Sequence, residues 1–268
     1  AMAHGAKGPN LTISTACSSS AHALGQALQC IRSGQADVII AVGADASITP
    51  LVFAGFCSLR ALSSEFNDSP ERASRPFDRL RDGFVMGEGS ATLVVESWAH
   101  AKKRKAKVYA ELVGYAATSE AYHMVIPQED GQEIATTMKI GLDSAGIGPD
   151  QVDYINAHAT STTIGDAVET KAVRSLFKNR ADKIAISATK SLIGHTLGAA
   201  GAIGAVATTL SIHTGQIHPT ANYEEPDPAC RLDGITRAVQ ERKIRYALLN
   251  AFGFGSNNAT VVFKKFVA

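Results

Sequence analysis

The sequence predicts an α/β fold, with sheets layered between helices, and three observations carry that reading. Short apolar runs of strand length alternate with longer segments of helical period. Gly, Pro, Ser and Asn separate them. The order of elements is also nearly repeated between the two parts of the chain, which points to an internal duplication.

Taken in order, residues 11–15 read as a strand and 18–32 as a helix, stopped by Ser33-Gly34. Residues 37–42 form a buried strand and 91–96 another, with a long polar loop between them. A fuller series follows: strand 108–114, helix 132–145, strand 152–157, helix 166–177, strand 184–187 and helix 198–213. Strands 246–250 and 260–264 close the chain. The second series reads βαβαβαββ. The first reads only βαββ, as though an opening βαβα were absent. Both contain a helix ending in a related signal, SGQ at 33–35 and TGQ at 214–216. Residues 1–96 are therefore expected to be the remainder of an N-terminal half, and 97–268 a complete C-terminal half.

Composition narrows the function. The chain has 268 residues, 45% hydrophobic and 19% charged, enough for a sizeable core. Its formal net charge of +1 argues against a nucleic-acid partner, which calls for a strong basic excess. The basic run Lys102, Lys103, Arg104, Lys105 and Lys107 reads either as a solvated helix end or as a dock for an acidic partner. Cys17, Cys30, Cys57 and Cys230 show no CxxC spacing, which suggests free thiols in a reducing compartment. No signal peptide opens the sequence. Residues 196–212 are uncharged but built of Gly and Ala, so a buried helix is expected there, not a membrane span.

Chemistry gathers at three junctions. Cys17, in STACSSS, lies between a strand end and a helix start, where the helix macrodipole and free backbone N–H groups lower a thiol pKa. His158, in YINAHATST, ends a strand. His195, in TKSLIGHTLGAAGA, also lies between a strand and a helix. In an α/β sheet such positions fall at the carboxyl edge, where sites are assembled. One cysteine and two histidines there form a candidate nucleophilic site. A zinc site built from the same three residues lacks any short ligand spacing. NAFGFGSNNAT precedes a strand, not a helix, so its glycines read as a turn that aims N–H groups into an oxyanion site, or as an ordinary hairpin.

Five ordered blocks then resemble a known family: TACSSS, RPFDRLRDGFVMGEG, NAHATST, TKSLIGH and NAFGFGSN. They are similar to the elongating β-ketoacyl-acyl-carrier-protein synthases of the thiolase superfamily and their polyketide relatives. The resemblance implies a thiolase-like fold of duplicated βαβαβαββ sheets, the first repeat incomplete, in a chain shorter than its relatives at the N-terminus. It implies that Cys17 is the acyl-accepting nucleophile, that His158 and His195 promote malonyl decarboxylation, and that Lys190 orders the site. The backbone N–H groups of Cys17 and Phe254 would form the oxyanion hole, with the Phe254 ring as a gate. Thr160 and Thr162 would hold the pantetheine amide.

The implied reaction is a decarboxylative Claisen condensation of malonyl-acyl-carrier protein with a Cys17-bound acyl chain in fatty-acid elongation. It uses no metal or diffusible cofactor, since the substrates ride on phosphopantetheine. Acyl carrier protein and a second copy of the chain are the implied partners, without nucleic acid or membrane, in the cytoplasm or an organelle stroma or matrix. Three positions depart from the family: Thr163 for proline, Gly204 for the glutamate of fatty-acid members, and Ser256-Asn257 for Gly-Thr. They keep a type II polyketide ketosynthase open. A thiolase or initiating synthase using coenzyme A fits the histidine blocks less well. A catalytically silent subunit resembling a chain-length factor would lack Cys17.

Overall fold

Five strands of the C-terminal part form one mixed sheet in a computed structural model that describes residues 1–267. They are β3 (Glu111–Ser119), β4 (Tyr154–Asn156), β5 (Ala185–Ser187), β8 (Tyr246–Gly253) and β9 (Asn257–Lys264), in the order β3-β9-β8-β4-β5. The β3-β9-β8 edge is antiparallel; β8, β4 and β5 run parallel. Strands covered on both faces read as near-continuous apolar runs, and the first half of β8 accordingly runs Tyr246-Ala247-Leu248-Leu249 before the buried Asn250. Its side chains alternate between two cores. Tyr246, Leu248 and Ile155 join the one under helices α4 (Gln132–Ser144) and α5 (Thr163–Phe177). Ala247, Leu249 and Tyr154 face the other, beneath α1 (Ser19–Arg32) and α7 (Ala200–Thr214).

A second, two-stranded antiparallel sheet of β1 (Val38–Asp45) and β2 (Gly89–Glu96) covers the far side of α1 and α7. The layers are thus helix, sheet, helix, sheet. The outer face of this pair carries Ile40, Val42 and Val94, all exposed. Small residues bring the middle helices together: a Cβ on Gly201 would stand 2.5 Å from the Ala21 backbone nitrogen. The uncharged stretch at 196–212 is therefore a packed helix whose Ala202, Ala205 and Ile212 are buried. Minor elements are α3 (Trp98–Lys103), the single turn α6 (Lys190–Ile193), and the pair β6 (Gln216–Ile217) and β7 (Gln240–Glu241).

Four expectations are corrected. The strand expected to be buried at 37–42 is covered on one face only, with Val38, Ile40 and Val42 exposed. Residues 11–15 form no strand: Leu11 is exposed, and Thr15 makes only an isolated bridge to Cys17, because no strand lies beside the segment among the described residues. The polar loop before β2 contains a helix, α2 (Pro50–Ser58), whose cap is Thr49 Oγ1 accepting from Val52 N, with proline in its first turn. Strand β3 begins at Glu111, three residues later than expected, and runs to Ser119 against β9. The N-terminal part therefore reads αβαβ where βαββ is expected.

Candidate active site

Four loops converge at the carboxyl edge of the large sheet. The first, ahead of α1, turns sharply at Ala16, a non-glycine residue at φ +51°. Thr15 O accepts from Ser18 N, Thr15 N donates to Ser19 Oγ, and Ser19 Oγ donates to Ala16 O. Cys17 is held inward with 7% of its surface exposed. Its own N–H and that of Phe254, at the tip of the β8–β9 hairpin, favour the thiolate. Burial nonetheless raises the thiol to about 11. The Lys190 charge and the two N–H groups oppose that rise, and Asp45 adds to it. The lowered pKa expected at this helix start is thus reversed, since desolvation of the thiolate outweighs the local dipoles.

The second loop follows β4. His158 and Ala159 donate their backbone N–H groups to the two oxygens of Glu169, 3.0 and 2.8 Å away, and Asn250 Nδ2 donates to the same carboxylate at 3.0 Å. Burial raises the Glu169 pKa despite these bonds. Further on, Thr160 Oγ1 and Thr162 Oγ1 stand 3.1 Å apart, and Thr162 caps α5 by accepting from Gly165 N. Ala159 and Ser161 both have positive φ, +26° and +71°.

The third loop, after β5, carries Lys190 and His195. Lys190 Nζ donates to His158 O at 2.6 Å, joining the two histidine loops. Burial lowers Lys190 to about 8, against the pull of Glu169, Cys17 and Asp166. The His158 and His195 rings meet edge-to-face with centroids 5.6 Å apart. Burial, with the Lys190 charge, holds both well below the ordinary histidine value, so both are neutral at pH 7. His195 Nδ1 accepts from Leu197 N, which leaves the proton on Nε2. That Nε2 and His158 Nδ1 are buried without a hydrogen-bond partner among the described residues. An aromatic series, Phe254, Phe56, Phe84, His195, lines one side with neighbouring centroids 5.1 to 6.4 Å apart.

The structure thus gathers Cys17, Lys190, His158, His195 and Phe254, and sets Thr160 and Thr162 on the His158 loop. Sequence reasoning missed Glu169, Asn250, Asp45, Phe56 and Phe84. Glu169 had a signal, an acid within the apolar run Val168, Ala172 and Val173 of α5. The hairpin reading and the oxyanion reading of GFGSN are compatible, because the hairpin tip itself supplies the N–H at Cys17. Gly204 O accepts from Asn156 Nδ2, and a Cβ on Gly204 would come 2.7 Å from Leu249 Cδ1. Chemically, the arrangement offers a thiol facing two backbone donors, and two neutral imidazoles able to donate to a developing oxyanion.

Comparisons with known proteins agree with this architecture. The descriptions "Beta-ketoacyl synthase, N-terminal domain" and "Beta-ketoacyl synthase, C-terminal domain" match residues 1–101 and 109–224. A 3-oxoacyl-[acyl-carrier-protein] synthase 2 of Coxiella burnetii is 47% identical over 97% of this chain and 62% of its own length. A mitochondrial 3-oxoacyl-[acyl-carrier-protein] synthase of Arabidopsis thaliana is also 47% identical, over 98% of this chain and 58% of its own. Among solved structures, a type II polyketide ketosynthase bound to its acyl-carrier protein and a hexaketide superposes with a TM-score of 0.97 at 39% identity, covering 99% of this chain and 65% of that one. The ishigamide ketosynthase/chain length factor gives 0.88 at 35% identity, covering 96% and 61%. The chain spans about three fifths of the length of the curated relatives it matches.

Proposed function

Because this chain belongs to the β-ketoacyl synthase family, we propose that it carries the condensing site of a 3-oxoacyl-acyl-carrier-protein synthase working in fatty-acid elongation. The observation that carries the reading is Cys17 facing the N–H of Phe254, beside Lys190 and two neutral, edge-to-face histidines.

In the first half-reaction the Cys17 sulfur attacks the acyl thioester of a carrier protein. The new C–S bond forms as the phosphopantetheine C–S bond breaks, and the departing thiolate takes the Cys17 proton. The N–H groups of Cys17 and Phe254 hold the tetrahedral oxyanion; one such donor is worth about 2.7–4 kcal/mol. In the second, the malonyl C–C bond breaks, carbon dioxide leaves, and the electron pair becomes an enolate. His158 and His195 donate to its oxygen. Being neutral, they favour the enolate without trapping the malonyl carboxylate as fixed cations would. The enolate carbon attacks the acyl-Cys17 carbonyl, a C–C bond forms as the acyl C–S bond breaks, and the Cys17 thiolate leaves and takes a proton from solvent. Lys190 fixes the His158 loop through its carbonyl. Thr160 and Thr162 take the pantetheine amide, and the Phe254 ring gates entry.

Residues 1–96 supply the nucleophile and 97–268 both histidines. The proposed partners are acyl- and malonyl-loaded carrier protein and a second copy of the chain, in the cytoplasm or an organelle, with no diffusible cofactor. A type II polyketide role is the second reading, favoured by Gly204 and by the likeness to the hexaketide-bound ketosynthase. A chain-length-factor role is disfavoured by Cys17. Mass spectrometry of the chain mixed with a panel of acyl-carrier proteins tests the proposal. Acyl adducts on Cys17 with fatty chains are expected. Adducts only with polyketide chains favour the second reading, and none on Cys17 refutes both.

A further inference from the structure

Arg81 lies apart from the reacting groups, yet its guanidinium holds the start of α5 from below. Nε donates to Thr162 O at 3.0 Å and Nη2 to Thr163 O at 2.7 Å. Nη1 is anchored on Asp227 Oδ2 at 2.6 Å and Asp78 O at 2.9 Å, and Asp166 lies 3.8 Å from Nε. The side chain is nearly fully buried.

For stability alone this is a poor place for a cation. The N-terminal end of a helix is its positive end, so an arginine there opposes the macrodipole, and burying its charge carries a desolvation cost that apolar packing would avoid. What the placement does supply is rigidity. The loop it grips holds Ala159 and Ser161 at positive φ, and such residues persist only where their surroundings over-determine them. The same loop is gripped from Arg75 N, which donates to Ser161 Oγ, and through Asp166, which accepts from Ser161 N and Phe77 N. The Thr160 and Thr162 hydroxyls emerge from between these grips, 3.1 Å apart.

We propose that Arg81 is a positioning residue for the carrier thioester: by fixing the carbonyls of Thr162 and Thr163 it presents the paired threonine hydroxyls to the pantetheine amide. The inference rests on the functional reading above and assigns it a residue that touches neither substrate nor nucleophile.

The test compares two acyl donors for Cys17 in wild type and Arg81→Lys, which keeps the charge but loses the fork. One donor is an acyl-carrier protein. The other is a p-nitrophenyl acyl ester, which acylates Cys17 with release of p-nitrophenolate and contains no amide. With the carrier donor, KM is expected to rise about tenfold at nearly constant kcat, since a roughly uniform binding interaction is lost. With the ester, both parameters are expected to stay within twofold of wild type. Should Arg81→Lys fail to fold, Asp227→Asn retains the fork but loosens its anchor, and a rise of about threefold in carrier KM is expected, again sparing the ester. An equal fall with both donors, or no change with either, overturns the positioning role while leaving the functional reading intact. A wild-type chain acylated by the ester but never by the carrier protein overturns both.

Discussion

Gly253 stands where the β8–β9 hairpin crosses the Cys17 loop, and replacing it with alanine separates the two. A Cβ at this position would come 2.5 Å from Thr15 O, 3.0 Å from Ser18 Oγ and 3.2 Å from Cys17 N. Two of those atoms are backbone, so no side-chain rotation relieves the contact. To grow from 2.5 Å to the 3.4 Å of ordinary contact, the hairpin must withdraw by about 0.9 Å. Phe254 follows Gly253 directly, so its N–H withdraws from Sγ by a similar distance. A displacement of about 1 Å in an active site can lower rate roughly a hundredfold, in line with loss of one oxyanion donor at about 10²–10³. For Gly253→Ala, transfer of an acyl group to Cys17 should therefore fall about a hundredfold. Malonyl decarboxylation, which relies on His158 and His195, should fall less than tenfold. Stopped-flow acylation followed by mass spectrometry measures the first, and release of carbon dioxide the second. Acylation within threefold of wild type would refute the proposed role of the hairpin N–H, and an equal loss of both half-reactions would show that the variant disturbs the fold at large.

Other outcomes follow from the same geometry. Because burial raises the Cys17 thiol to about 11, its thiolate fraction should climb with pH across the whole range from 7 to 10, about tenfold per unit. Iodoacetamide labelling at Cys17, read by peptide mapping with the exposed Cys57 as internal reference, checks this; a plateau below pH 9 contradicts it. His158→Ala or His195→Ala should reduce malonyl decarboxylation about 10²–10³-fold while Cys17 acylation persists, and Cys17→Ala should show the converse. Glu169→Ala strips three buried donors of their acceptor and removes a negative charge that acts on Lys190, so urea denaturation should register a loss of about 3–5 kcal/mol. Glu169→Gln, which can still accept some of these bonds, should lose about 1–3 kcal/mol.

Much of the site was readable without coordinates because its parts obey local rules. An apolar run followed by a small-residue loop sets His158 and His195 beyond strands of the large sheet, and β4 and β5 do precede them, whereas Cys17 reaches the site from a loop with no strand before it. What was not readable depended on partners distant in sequence. Residues 11–15 have the composition of a strand, but a strand exists only beside another. Helix α2 is apolar on several sides and short, with Leu51 and Phe53 exposed, so it gave no amphipathic period; only Thr49-Pro50 announced it. Arg81 looks like a solvated charge when read in isolation, and the apolar neighbours of Glu169 hint at its burial without naming its partners. Their burial follows from α5 packing between the large sheet and the 75–81 segment, a contact that no sequence period encodes. The thiol pKa failed for a related reason: the helix dipole is a local property of the Cys17 junction, whereas burial there depends on the hairpin, whose Gly253 packs against the Cys17 loop.

The layering of α1 and α7 between two sheets bears on how the molecule comes to be. Cys17 enters from the start of α1 and Phe254 from the end of β8, nearly the full length of the chain apart, while the histidines arrive from loops between them. Elements formed by near neighbours, such as α4, α5 and the β8–β9 hairpin, close short loops and can form early. The junction of Cys17 with the hairpin tip closes a loop that spans most of the chain, and its entropy is recovered only once the middle helices have docked. Maturation of the nucleophile is therefore tied to the final consolidation of the fold. After dilution from denaturant, far-ultraviolet ellipticity should return first, and the capacity of Cys17 to accept an acyl group should lag behind it.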